Sequence, residues 1–367
     1  MTLFFAEYGL FLAKVVTVLI AIAIVAAIVG ANLARGRRET GGDSSEAGDI
    51  VITKFNARLE DFEEVLSISR LEPAMRKQAS KQRKVRDKAE RKAAKIAAKK
   101  AKKQRGKGET LVPENPRPRT FVLDFDGDVR ASAVDTLRRE ITAVLTSATS
   151  EDEVLLRLDS GGGTVNGYGL GAAQLDRIKK KRIPLTICVD KVAASGGYMM
   201  ACVGDRITAA PFAMLGSIGV VAQIPNIHRL LKQWNIDVEL LTAGKFKRTL
   251  TVFGENTDEG RNKFIEDIER IHVQFKQFVA QHRPSLDIDR VATGEVWSGD
   301  DLIELGLVDE LGTSDDYVTR ACENREVLLV NWKQKRSLMQ RFSQGAESSI
   351  DRVAMRWIDR LAQRPEI

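Results

Sequence analysis

Cysteine and histidine are both scarce in this chain of 367 residues, with three of each. Cys188, Cys202 and Cys322 are an odd number and form no CxxC pair, which speaks against a disulfide framework and against a zinc site. Cys188 and Cys202 fall inside apolar runs and read as small buried residues. His228, His272 and His282 all fall in helical stretches late in the chain, so a histidine-based triad has few places to come from. The phosphate-loop pattern GxxxxGK followed by Ser or Thr is missing. Aromatic residues are only 6% of the total, and none lies between Arg76 and Lys107. That removes the stacking platforms on which single-stranded nucleic acid binds.

What is abundant is positive charge, and it is concentrated. The segment from Arg76 to Lys107 holds 16 Lys and Arg against only Asp87 and Glu90, within a net charge of +7. The rest of the chain is therefore mildly acidic, a statement about partners and not about fold. The Ala, Lys, Arg and Gln of this arm are good helix formers, yet no apolar stripe runs along it. A solvated helix or partly disordered linker is predicted. Upstream, Val15 to Ala34 is a run of 20 uncharged, mostly apolar residues, long enough to cross a hydrocarbon core of about 30 Å. A cleaved signal peptide would have a shorter apolar core of about 7–15 residues and a small-x-small cleavage site. The run reads as a retained single-pass anchor, residues 1–40, with Arg35, Arg37 and Arg38 favouring a cytoplasmic body. Membrane lipid is thus an expected partner, through the anchor and through the basic arm.

Residues 41–118 form a lead-in and linker. Gly41–Gly48 is a polar spacer, helical spacing follows at Phe55, Leu59, Phe62 and Val65, and Pro113, Pro116 and Pro118 end the arm. From residue 119 to 325 the pattern alternates between strands and helices. Strands are predicted at Thr120–Asp126, Glu153–Leu158, Pro184–Val189, Arg206–Ala209, Ile218–Ile224 and Val238–Leu241. Helices are predicted at Ala131–Ser147, with Val134, Leu137, Ile141 and Leu145 on one face, and at Tyr168–Lys181, Thr257–Arg283 and Gly299–Leu305. Such alternation implies an α/β fold of βαβ units with a largely parallel, doubly covered sheet. Residues 326–367 read as a basic amphipathic tail, with Leu338, Phe342, Met355, Trp357 and Leu361.

The chemistry concentrates in glycine-rich points at strand ends, where open α/β sheets bind ligands. Asp159-Ser-Gly-Gly-Gly163 follows one strand. Val192-Ala-Ala-Ser195-Gly-Gly-Tyr-Met-Met-Ala201 follows another, and its serine opens a buried helix. Leu215-Gly-Ser217-Ile-Gly219 is the third. Backbone N–H groups from two such loops around one serine are what an oxyanion hole requires. A nucleophilic serine also needs a base. In Ala243-Gly-Lys-Phe-Lys247, Lys245 and Lys247 alternate around Phe246 and point the same way if the segment is extended. A lysine serves as a base where burial depresses its pKa from about 10.4 toward neutrality.

Five motifs occur together in one order: Ser160-Gly-Gly-Gly163, Ala193-Ala-Ser-Gly-Gly-Tyr198, Leu215-Gly-Ser-Ile-Gly-Val220, Gly244-Lys-Phe-Lys247 and Val296-Trp-Ser-Gly with Leu305-Gly-Leu-Val-Asp309. In this the chain resembles the signal peptide peptidase A family over about residues 50–325, and its anchor and basic linker resemble the SohB-type inner-membrane serine proteases of that family. The resemblance implies a ClpP/crotonase-like spiral fold, a Ser–Lys dyad and no metal or organic cofactor. It implies Ser195 as nucleophile, Lys247 as general base and Ser217 as the residue orienting the lysine. Gly196 with Gly162 or Gly163 would line the oxyanion hole. Where the family usually has Ser-Pro-Gly-Gly, this chain has Gly161, which loosens the loop backbone. The implied activity is endopeptidase cleavage of signal peptides or other small membrane-associated peptides, at a bacterial inner membrane, by a homo-oligomer. Two other readings share the fold: a crotonase-type acyl-CoA enzyme, which would use the glycine-loop N–H groups but not Ser195 and Lys247 together, and an inactive membrane scaffold.

Overall fold

The computed structural model describes residues 48–105 and 117–334. The expected anchor over residues 1–40, most of the polar spacer, Pro113, Pro116 and the tail beyond residue 334 lie outside the described residues. Among the described residues no helix is long and apolar enough to cross a membrane. The chain divides into two units. One, Met1–Asp49 with Lys333–Ile367, is almost wholly outside the described residues; the other, Ile50–Trp332, carries the sheet and the site.

The described residues begin with β1 (Gly48–Lys54), α1 (Phe55–Ser69) and α2 (Pro73–Arg105). The alternating part then runs β2 (Arg119–Gly127), α3 (Val134–Leu145), β3 (Glu153–Ser160), α4 (Val165–Lys180), β4 (Leu185–Val189), β5 (Val192–Ala194) and α5 (Gly196–Ala201). After it come β6 (Arg206–Ala209), β7 (Met214–Gly216), α6 (His228–Gln233), α7 (Asp258–His282), α8 (Ile288–Val291), β8 (Val296–Trp297) and α9 (Asp301–Glu304). The last elements are β9 (Glu310–Leu311), α10 (Ser314–Asn324) and β10 (Glu326–Gln334). The basic arm is thus helical as far as Arg105, the first of the two outcomes its composition allowed.

The hydrogen-bonded order of the sheet is β1-β10-β2-β3-β4-β6-β9, with β5, β7 and β8 branching from β3. Every register given for the main path is parallel, and β2 and β3 match over eight positions from Thr120↔Glu153 to Gly127↔Ser160. Strand β3 is buried almost end to end because both faces are covered, and Val154, Leu155 and Leu156 form the apolar stretch at its centre. Helix α3 buries Val134, Leu137, Ile141 and Val144, while Leu145 of the predicted face is only half-buried. Helix α7 starts where Thr257 accepts the Gly260 N–H at 3.1 Å, a cap of about 1 kcal/mol. The sheet also takes in β10, whose first residues pair with Arg119–Val122 of β2.

Two predicted strands are not strands. At Ile218–Ile224 the chain bends away, because Ser217 has φ 51° and its N–H is taken by the Glu295 carbonyl at 2.6 Å. Val238–Leu241 keeps its alternating pattern but pairs with no strand among the described residues, and a strand without ladder hydrogen bonds does not persist. Between Gln233 and Asp258 there is no helix or strand, and Trp234, Ile236, Leu240, Leu241, Phe246 and Phe253 are exposed.

One carboxylate is buried where the pattern would put a solvated residue. Glu140 of α3 is 3% exposed. One oxygen accepts the Trp332 N–H at 2.7 Å and the other has no hydrogen-bond partner among the described residues. Burial pushes its carboxyl up to about 7. A carboxyl that binds its proton more tightly when folded loses stability as pH rises, here from about 4.5 toward 7. Glu140→Gln is therefore expected to raise the melting temperature at pH 8 and leave it unchanged at pH 4.5. The full shift would amount to at most about 3 kcal/mol. Equal melting curves for both proteins at pH 8 would contradict this assignment.

Candidate active site

Strand β5 lies between β3 and β7, parallel to both, with Ala193 opposite Ser160 and Ala194 opposite Gly216. It ends at Ser195, which has φ 51° and ψ −117°, and α5 begins at the next residue. A non-glycine residue in this region is strained, and such strain persists only where surrounding contacts impose it. Here the Ser195 N–H donates to the Gly216 carbonyl at 2.8 Å, and the Ser195 carbonyl accepts from Met199 N–H at 2.9 Å. A sharp strand-to-helix turn of this kind presents a serine hydroxyl at the top of a sheet. Ser195 is half-buried and opens onto a cleft of about 640 Å³.

The cleft is lined by Gly162, Gly163, Gly196 and Ser217 together with Ser195. Ser217 also has φ 51°, and the strand before it is clamped by β8, with Gly216 opposite Val296. The Val296-Trp-Ser-Gly motif thus serves as the partner strand of the Ser217 loop. The Leu305–Asp309 motif braces α5, since Tyr198 donates to the Leu307 carbonyl at 3.0 Å. Asp309 in turn takes both arms of the buried Arg283 guanidinium, at 2.8 and 2.9 Å.

Gly162 has φ +87° and is buried, and a Cβ there would come within 2.8 Å of Ser195 Cβ. Its N–H donates to Ser160 Oγ at 3.1 Å, so in this conformation that donor faces Ser160. A hydrogen-bond chain continues from Ser160 to the Tyr168 hydroxyl at 2.5 Å, and from Tyr168 to the Asp128 carbonyl at 2.8 Å. Gly161 is exposed, with open space where a side chain would stand, so packing does not demand glycine there.

Lys247 is not brought to this cleft. It is exposed and sits in a turn, its N–H donating to the Gly244 carbonyl at 3.1 Å. The segment is not extended, so the alternation of Lys245 and Lys247 around Phe246 sets no common direction. Lys245 pairs with Glu259 at 2.6 Å and lies over the Phe246 ring.

Of the histidines, His228 meets the Phe253 carbonyl and His282 is held between Phe278 O and Asp176. His272 is the one that lines the cleft, with Nε2 3.2 Å from the Ile218 carbonyl. It stands on α7 beside Ile271 and Phe275, which also line the cleft. From sequence it reads as an ordinary residue of the long helix. The available signal was its position one turn ahead of Phe275, on the edge of the helix's apolar face.

Comparison with known proteins is decisive here. The descriptions "Peptidase family S49 N-terminal" and "Peptidase family S49" match residues 3–175 and 177–328. The chain is 49% identical over 350 residues to a "Probable protease SohB" of Haemophilus influenzae, covering 95% of each protein. The chain belongs to peptidase family S49. A second "Probable protease SohB", from Buchnera aphidicola, is 45% identical over 86% of this chain and 98% of that protein. Among solved structures, the 1510-N membrane-bound stomatin-specific protease, as a mutant in complex with a substrate peptide, superposes with a TM-score of 0.39 at 15% identity, over 62% of this chain and 99% of that one.

In this S49 peptidase the Ser160–Tyr168 pair holds the glycine loop beside Ser195. Both residues are buried, Tyr168 completely. Burial raises the phenol above its ordinary range, so Tyr168 keeps its proton to donate. Tyr168→Phe is expected to lower kcat about 10-fold with KM changed by less than about two-fold, because it loosens the loop without touching bound peptide. Unchanged steady-state kinetics would show that the loop holds without this hydroxyl.

Proposed function

We propose that this chain is a membrane-anchored serine endopeptidase working through Ser195 and Lys247. The observation that carries the reading is the strained Ser195 turn at the mouth of a glycine-lined cleft. Ser195 Oγ attacks the scissile carbonyl while Lys247 Nζ accepts its proton. The negative charge on the tetrahedral oxygen is met by backbone N–H groups of Gly196 and of the 162–163 loop. The lysine returns the proton to the leaving amine and the acyl-enzyme forms. Water, deprotonated by the same lysine, then releases the acid and regenerates Ser195. Ser217 would orient the lysine.

For this to occur Lys247 has to reach the cleft. It can come by rearrangement of the irregular 234–257 segment or from a second copy of the chain. The exposed apolar residues of that segment favour a homo-oligomer in which they are covered. Substrates on this reading are signal peptides or other small membrane-associated peptides, cut by a single-pass protein of a bacterial inner membrane. A crotonase-type acyl-CoA enzyme would use glycine N–H donors of the same kind but has no role for a strained serine, and an inactive scaffold has no need of one. The test is a fluorophosphonate probe: covalent labelling at Ser195, located by peptide mapping, supports the proposal. No labelling under conditions where a known serine hydrolase reacts fully would favour the scaffold.

A further inference from the structure

The helix formed by the basic arm sorts its charges by face. In α2, Lys77, Lys81, Lys84, Lys88 and Lys92 fall at i, i+4, i+7, i+11 and i+15. At 100° per residue they share one stripe about 80° wide and about 22 Å long. All five are exposed, and among the described residues none is in an ion pair. Two arginines occupy a different face. Arg83 and Arg86 turn toward α1 and pair with Asp61 and Glu64 there. By the same spacing, positions 87 and 90, the two acidic residues of the helix, fall outside the lysine stripe. The sequence repeats the spacing onward through Lys95, Lys99 and Lys102.

We infer that this lysine face of α2 is a docking surface for anionic phospholipid headgroups. Three features fit a lipid surface better than nucleic acid. The face is made of lysines, point charges that attract phosphate without the planar fork used to read base edges. The helix has no aromatic residue for base stacking. Val85 and Ile96, 70% and 59% exposed, flank the stripe and offer apolar contacts to an acyl boundary. At the start of the stripe Arg76, Lys77, Ser80, Lys81 and Lys84 line a shallow cleft of about 430 Å³, with room for a phosphate headgroup. Each lysine near an anionic surface adds about a five-fold gain in affinity, so five in line act as one strong contact that salt weakens.

The inference rests on the anchored reading of the chain but not on its chemistry at Ser195. The full-length protein is reconstituted in nanodiscs of phosphatidylcholine, alone or with 30% phosphatidylglycerol. Co-elution with both discs reports the anchor. Slower hydrogen exchange of amides 77–92 on the phosphatidylglycerol discs alone, lost at high salt and in a variant with all five lysines changed to glutamine, reports the lysine face. A protein that co-elutes yet exchanges identically on both discs overturns the inference and leaves the anchor standing. So does a labelled duplex or single strand of nucleic acid that binds the full chain in detergent and is not displaced by phosphatidylglycerol.

Discussion

Ser195→Ala is expected to lower peptide hydrolysis about 10⁴-fold or more, since the acyl-enzyme cannot form. Fluorophosphonate labelling should vanish with it. The fold should survive: removing Oγ leaves the Cβ of a residue whose backbone is fixed by Gly216 and Met199. A thermal midpoint close to that of the parent would separate loss of chemistry from loss of structure. A variant that still cleaved peptides at the parental rate would move the nucleophile elsewhere and remove the basis for the proposed function.

The second large effect concerns the base. Lys247→Ala should abolish turnover as fully as Ser195→Ala, while Lys245→Ala should cost little, because its partner is the exposed Glu259. His272→Gln is the control within the cleft: retained activity fits a lysine base, and loss without unfolding would point to the histidine. Mixing Ser195→Ala with Lys247→Ala subunits then tells how the lysine arrives. Regained hydrolysis requires a site shared between copies. Continued inactivity in a verified mixed oligomer means that the 234–257 segment carries Lys247 to the cleft of its own chain.

Much of the fold was legible because parallel strands covered on both faces leave short apolar stretches, as in residues 154–156 and 187–189, and because caps such as Thr257 mark helix starts. Strands β5 and β8 were not legible. Three and two residues are too short for any period. Ser195, Ser217 and the glycine loops were found as motifs, and the structure collects them in one cleft. The backbone position of Lys247 was not legible, because Ile236, Val238 and Leu240 alternate like a strand, but a strand exists only when another edge accepts its hydrogen bonds. Glu140 was missed for a different reason. A glutamate on a helix looks solvated until a strand distant in sequence, here β10 with Trp332, is known to meet it. His272 looked like one more helix residue, since nothing in its own sequence neighbourhood reveals the loops that come to face it.

The close packing around the nucleophile bears on how such a peptidase can diversify. A methyl group on Gly196 would sit 2.4 Å from the Tyr168 ring, and one on Gly163 would sit 2.1 Å from the Val129 carbonyl. A side chain has no room at either position, so the wall of the cleft nearest the serine cannot be reshaped by simple substitution. Changes in the residues accepted beside the scissile bond must then be written at the other lining residues, Val165, Val221, Ile271 and Phe275, whose side chains line the same cleft. Related peptidases with different diets should differ there first, and a library confined to those four positions is the shortest route to an enzyme with a new cleavage preference.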